Sequence, residues 1–166
     1  PDLPAPATRA MGVPQEHPGK PAYIKYCAPC HGADLKGYAA DHAPSLINQT
    51  FLESAPDWYL QRSIATGRPG TSMSAYSKML GGPLDDTTIA QLVTYIRAQG
   101  PQALPLAATG KGDAARGAVI YNQSCKTCHG DSSLRGEALH LANVQFQRLA
   151  SDAFIRYAVE KGRPGT

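Results

Sequence analysis

The clearest apolar pattern in the chain is Ile89, Leu92, Val93 and Ile96, spaced i, i+3, i+4 and i+7 along one helical face. It follows Leu-Asp-Asp-Thr-Thr, where Asp85 or Asp86 can cap a helix, and Gly100 and Pro101 stop it. An earlier helix is predicted over residues 56–66. Pro56 stands near its start, where a missing N–H costs nothing, and Gly67 stands past its end. A first helix runs from about Pro21 to Cys30. Between these three the chain reads as long loops, as its sixteen Gly and fourteen Pro suggest.

The pattern occurs twice. GKPAYIKYCAPCHGADLKG at 19–37 matches GAVIYNQSCKTCHGDSSLRG at 117–136, with Gly, Tyr and Cys four apart in both: Gly19, Tyr23, Cys27 and Gly117, Tyr121, Cys125. Further on, residues 45–71 lie on residues 140–166 without a gap, both ending in GRPGT. The offset is 98 in the first segment (125 against 27) and 95 in the second (140 against 45), so the second copy is three residues shorter between them. The stretch 101–116, rich in Ala, Pro and Gly, reads as a linker stiffened by Pro101 and Pro105. Residues 1–18 hold five prolines and read as an extended arm.

Two units of this size would have thin cores on surface-to-volume grounds, so something besides side chains should fill them. At 42% hydrophobic and 17% charged residues, the chain suits folded domains rather than a disordered tail. A net charge of +3 without a basic run or interleaved aromatics argues against a nucleic-acid partner. No window of 18 apolar residues is present, so no segment here is expected to span a membrane. The start PDLPAPATRA, without an initiator Met, reads as a processed N-terminus.

All four cysteines lie in two C-x-x-C-H clusters, Cys27-Ala-Pro-Cys30-His31 and Cys125-Lys-Thr-Cys128-His129. Two thiols two residues apart at a helix can each form a thioether with a haem vinyl group, with the next residue, His, held under the iron. Zinc ligand pairs belong within one small module, whereas these stand 98 residues apart in repeated units. A thioredoxin-like pair would need a βαβ pattern, which is absent, and a disulfide across two residues is cramped. Haem attachment is therefore the expectation at Cys27, Cys30, Cys125 and Cys128, with His31 and His129 on iron.

A thioether is a soft neutral donor that favours ferrous iron. Met11 and Met79 are expected to be core filler. Met73 differs, following GRPGTS in a loop too irregular for a helix face, about forty residues after the first cluster. Arg68 and Arg163 recur in GRPGT and either pair with a haem propionate or stay solvated. His17, His42 and His140 read as surface or loop histidines.

Taken together, Gly19-x-x-x-Tyr23-x-x-x-CAPCH, PSL at 44–46, GRPGTSM and a closing amphipathic helix with Tyr95 resemble a class I cytochrome c. The resemblance implies an all-α fold of two tandem domains, each a few helices and long loops around a covalently bound haem c. It implies Met73 as sixth ligand, the Pro44 carbonyl as partner of His31, and Tyr95 packed across the first helix near Tyr23. It covers 19–100 in full, as the first domain, and 117–166 in part, as the second. Leu139 stands at the position of Pro44, so His129 is expected to find another acceptor. After Thr166 the second copy lacks a Met and a closing helix, roughly 30 residues by comparison with the first, so a continuation is expected. His140 matches Ser45 on the proximal side and is poorly placed as a sixth ligand.

Iron held by His and Met has no open position. The functional expectation is therefore a dihaem electron carrier with redox-protein partners, soluble or a subunit of a respiratory or photosynthetic membrane complex. Covalent attachment of this kind implies the periplasmic or another extracytoplasmic face. Dihaem thiosulfate dehydrogenases use a Cys ligand, and no Cys is left over here. The alternative is a haem enzyme with an open position on the second haem. Four propionates would turn +3 into about −1, so no strong steering field is expected.

Overall fold

The computed structural model describes residues 16–165. Among them it forms nine α-helices and no strand: α1 (Lys20–Tyr26), α2 (Ala28–His31), α3 (Gln49–Ser54), α4 (Asp57–Thr66), α5 (Asp86–Arg97), α6 (Ala114–Ser124), α7 (Lys126–His129), α8 (Val144–Leu149) and α9 (Asp152–Lys161). A 3-10 turn at Lys78–Leu80 lies between α4 and α5. The expected arm falls mostly outside the described residues. No helix among the described residues is long and apolar enough to cross a membrane.

The predicted first helix is interrupted at Cys27, at φ −111°, so Cys30 and His31 ride on the short α2 with Cys27 at its N-cap. α4 and α5 follow the sequence signals. Pro56 stands at the N-cap position of α4, Gly67 closes it at φ 63°, and the Asp85 carboxylate accepts from Thr88 N–H at the start of α5. The helix not foreseen is α3. Its six residues are too few to show a period, and its signal is Asn48, whose Oδ1 accepts from the Phe51 N–H. Asn143 does the same for α8.

The first copy closes on its own core. Ile89, Leu92, Val93, Tyr95 and Ile96 of α5 are buried, together with Tyr23, Leu52, Tyr59 and Leu60. α1 crosses α5 at Gly19, where a Cβ would collide with the Gln91 carbonyl oxygen and lie 2.9 Å from Tyr95 Cβ. The Tyr23 and Tyr95 rings then meet with centroids 5.4 Å apart, as the resemblance implied. The fully buried Tyr23 donates its hydroxyl to the Gly32 carbonyl at 2.7 Å, fastening α1 to the turn after α2. At the other end of α5, Arg97 is buried. It bonds the Asp57 carboxylate at 2.6 Å, the Leu52 carbonyl at 2.8 Å, and the Ala55 carbonyl. That cation ties α5 to the junction of α3 and α4.

The second copy is built differently. None of the residues of α6 is buried, and a Cβ on Gly117 would meet nothing within 4 Å. α6 also starts at Ala114, capped by Asp113, so Gly117 lies inside a helix rather than at its edge. Apart from Gly130, the buried residues of this copy are Phe146, Ala150, Phe154 and Asn143, on and around α8 and α9. They are buried because α9 packs on α3 and α8 packs on α4. Residues 101–113 carry no regular structure, and Leu104 N–H donates to the Glu53 carbonyl at 2.7 Å.

Two changes test this packing. Gly19→Ala should cost about 1–3 kcal/mol by driving α1 off α5; a thermal midpoint equal to wild type would show that the crossing is looser. Tyr23→Phe should cost about 1 kcal/mol by leaving the Gly32 carbonyl unpaired, whereas the half-exposed equivalent Tyr121→Phe should cost less. Equal losses in denaturant melts would contradict the difference in burial.

Candidate haem sites

α2 carries Cys30 and His31, and Cys27 stands at its N-cap. His31 is 8% exposed, and its Nδ1 lies 2.9 Å from the Pro44 carbonyl oxygen. A carbonyl only accepts, so Nδ1 carries the hydrogen and Nε2 keeps its lone pair. Burial lowers the basicity of this ring, with the Pro44 bond opposing it, so the imidazole is neutral and able to bind a metal. The loop that carries Pro44 back is tight. Gly37 at φ 81° leaves no room for a Cβ beside Ala43, Pro44 and Ser45. Leu35, Tyr38, Asp41 and His42 also hold positive φ. Burial, with Cys30 adding, pushes the Cys27 thiol up to about 11, so it rests protonated.

The loop after α4 lines the same cavity as these residues. Its base is closed by the Arg68 N–H donating to the Met73 carbonyl at 2.7 Å. Inside it, Thr71 N–H returns to the Arg68 carbonyl, Gly70 takes φ 77°, and Met73 N–H donates to Thr71 Oγ1. Met73 and Arg68 line the same cavity as Cys27, Cys30 and His31. Met79 is 85% exposed, which corrects its expected role as core filler. It sits in the 3-10 turn, whose side chains point out of the core. Arg68 is buried and donates to the Gly67 carbonyl, the Tyr59 hydroxyl and Ser63 Oγ, all neutral, which rules out the solvated alternative for it.

The cavity, about 300 Å³, does not stop at the first copy. Its lining continues to His129, Leu139, His140, Phe154 and Arg163. His129 Nδ1 lies 2.7 Å from the Leu139 carbonyl oxygen, the position equivalent to Pro44. The expectation of another acceptor is thus corrected. The bond uses the backbone, so replacing Pro by Leu leaves it intact. His140 Nε2 lies 2.7 Å from the Asp131 carbonyl oxygen. The His17 ring meets Tyr95 at a tilt of 52°, with centroids 5.3 Å apart. His42 lines the cavity wall.

Sequence reasoning missed the groups that join the two copies. Tyr59 and Phe154 stack with centroids 4.9 Å apart at 25°, flanked by Phe51 and Phe146. Each pair stands at the offset of 95, so the repeat itself held the signal. Arg163 lies over the Phe51 and Phe154 rings and donates to Thr50 Oγ1. Arg135 meets Asp41 at 3.4 Å.

The donor set fits haem c: paired thiols, a neutral imidazole with one nitrogen oriented by a carbonyl, a thioether, and a buried guanidinium with neutral partners. Comparison with known proteins agrees. The family model described as cytochrome C oxidase, cbb3-type, subunit III matches residues 14–96 and 112–165. Similar proteins include the Cbb3-type cytochrome c oxidase subunit FixP of Azorhizobium caulinodans, 33% identical over 76% of this chain and 42% of that protein. The FixP subunit of Bradyrhizobium diazoefficiens is 30% identical over 89% of this chain and 51% of that protein. The CcoP subunit of an Azospirillum species is 30% identical over 69% of this chain and 39% of that protein. This chain thus spans about half, or less, of the length of each of these relatives. The chain belongs to the cbb3-type cytochrome c oxidase subunit III family, all-α c-type cytochromes whose cofactor is haem c.

Proposed function

We propose that this chain is the dihaem electron-carrying part of a respiratory oxidase subunit, working at the periplasmic face of a membrane complex. Residues 19–100 form one haem unit and residues 117–166 belong to a second, joined by 101–116. The observation that carries the reading is the single cavity lined by Cys27, Cys30, His31 and Met73 of one copy and by His129 of the other. The relatives named as oxidase subunits support the assembly. When bound, haem c supplies an iron that cycles between ferric and ferrous and so handles one electron at a time.

The chain's own residues do the rest. Cys27 with Cys30, and Cys125 with Cys128, hold the two haems as thioethers. His31 and His129 bind iron through Nε2, while the carbonyls of Pro44 and Leu139 fix each ring through Nδ1. Met73 closes the far side of the first site and excludes water from it. Arg68 and Arg163 pair with propionates, giving a buried cation such as Arg68 the anion that its protein neighbours do not supply. Tyr59 and Phe154 fill the space between the copies with stacked apolar surface.

Denatured protein should keep two haems per chain, measured as the pyridine haemochrome, with no free thiol. Haem released by acid acetone, or one haem per chain, contradicts the reading. Met73→Ala should remove the weak red absorption of sulfur-bound ferric iron and lower the first haem's potential, with both haems still attached. If Met79→Ala does so instead, the wrong sulfur has been named.

A further inference from the structure

The ligand loop of the first copy is held from the second copy. Asn143 is 7% exposed and has two tasks. Its Oδ1 accepts from the N–H groups of Gln145 and Phe146, capping α8, while its Nδ2 donates to the Pro69 carbonyl at 2.8 Å. Pro69 sits in the turn Arg68–Thr71, with Ser72 between that turn and Met73. The other end of that loop reaches the second copy only indirectly, through Asp41 of the first. Ser72 N–H donates to Asp41 Oδ2 at 3.4 Å, and Asp41 is met by the Arg135 guanidinium.

The arrangement is reciprocal. Asn48, equivalent to Asn143 at the offset of 95, caps α3 through Oδ1 and donates from Nδ2 to the Pro164 carbonyl at 2.9 Å. Pro164 is in turn the equivalent of Pro69. Each asparagine therefore serves its own helix with its oxygen and the opposite copy's Gly-Arg-Pro-Gly turn with its nitrogen. A capping role needs only the oxygen, and Ser, Thr or Asp would serve it equally. The nitrogen has no part in the cap, so its two matching bonds call for a second reason.

We propose that Asn143 is a positioning residue for Met73, and Asn48 its counterpart for the matching turn of the second copy, so that each haem site is set partly by the other copy. The assignment rests on the reading of Met73 as an iron ligand.

Asn143→Asp separates the two tasks. The carboxylate keeps the cap, loses the donor and sets a negative oxygen against the Pro69 carbonyl. Asn48→Asp removes a bond of the same kind from the same interface but on the other turn. The experiment is an imidazole titration of the ferric holoprotein, following loss of the red sulfur–iron band, with far-UV circular dichroism to confirm intact helices. Asn143→Asp should bind imidazole at the first haem about tenfold more tightly than wild type, and Asn48→Asp should match wild type. Unchanged imidazole affinity in Asn143→Asp overturns the proposal. An equal gain in both variants also overturns it, since general loosening of the interface would then be the cause. If the band survives in Met73→Ala, it is the ligand reading that has failed, and that result is separate from this one.

Discussion

The structure depends on one hydrogen bond made twice, from a histidine Nδ1–H to a backbone carbonyl. It must cross 13 residues in the first copy and 10 in the second, yet it closes at 2.9 and 2.7 Å. An imidazole fixed through Nδ1 has one nitrogen to offer, at one angle, and the surrounding loop exists to maintain that. In the first copy Gly37 packs against the returning strand of chain, Gly37 N–H donates to the His31 carbonyl, and Leu46 N–H donates to Leu35. Tyr23 anchors the next carbonyl from α1. Three fewer residues in the second loop alter its path but not its end point, because the acceptor is main chain and carries no requirement on the side chain.

The copies share this device and differ in nearly everything that stabilises them. The first has an internal core in which α1, α4 and α5 bury aliphatic and tyrosine side chains, with Arg97 satisfying carbonyls at the base. The second has α6 exposed and draws its burial from the first copy, through Phe146 and Phe154. A stacked aromatic pair contributes more than its area alone, and here Tyr59 and Phe154 meet at the centre of a near-two-fold contact. The polar bonds from Asn48 and Asn143 sit around that apolar centre and give it one register. The interface is therefore specific as well as apolar.

For an electron carrier, rigidity in the ligand set matters because sites whose supporting groups are locked hold their geometry through the cycle. On the proposed reading, the loop around Met73 has that support internally, through Arg68 and Thr71, and externally, through Asn143 and Asp41. The continuous cavity then reaches from Cys27, Cys30, His31 and Met73 of the first copy to His129 of the second.

Much of this was legible in the residues themselves. The paired C-x-x-C-H clusters, the duplicate GRPGT, the helix over Ile89 to Ile96 and the place of Met73 all depend on spacing along the chain, which sequence records directly. The break at Cys27, the short α3 and the exposed Met79 were not legible, since a six-residue helix shows no period and a lone Met has no address. Least visible was the partnership between the copies. Sequence showed that Asn48 matches Asn143 and that Pro69 matches Pro164, but only the folded chain pairs each asparagine with the other copy's proline. The reason is physical. Repeats record which residues do the same task, whereas contacts across a two-fold arrangement depend on how the copies dock, and docking is settled by buried aromatic surface that no spacing rule describes.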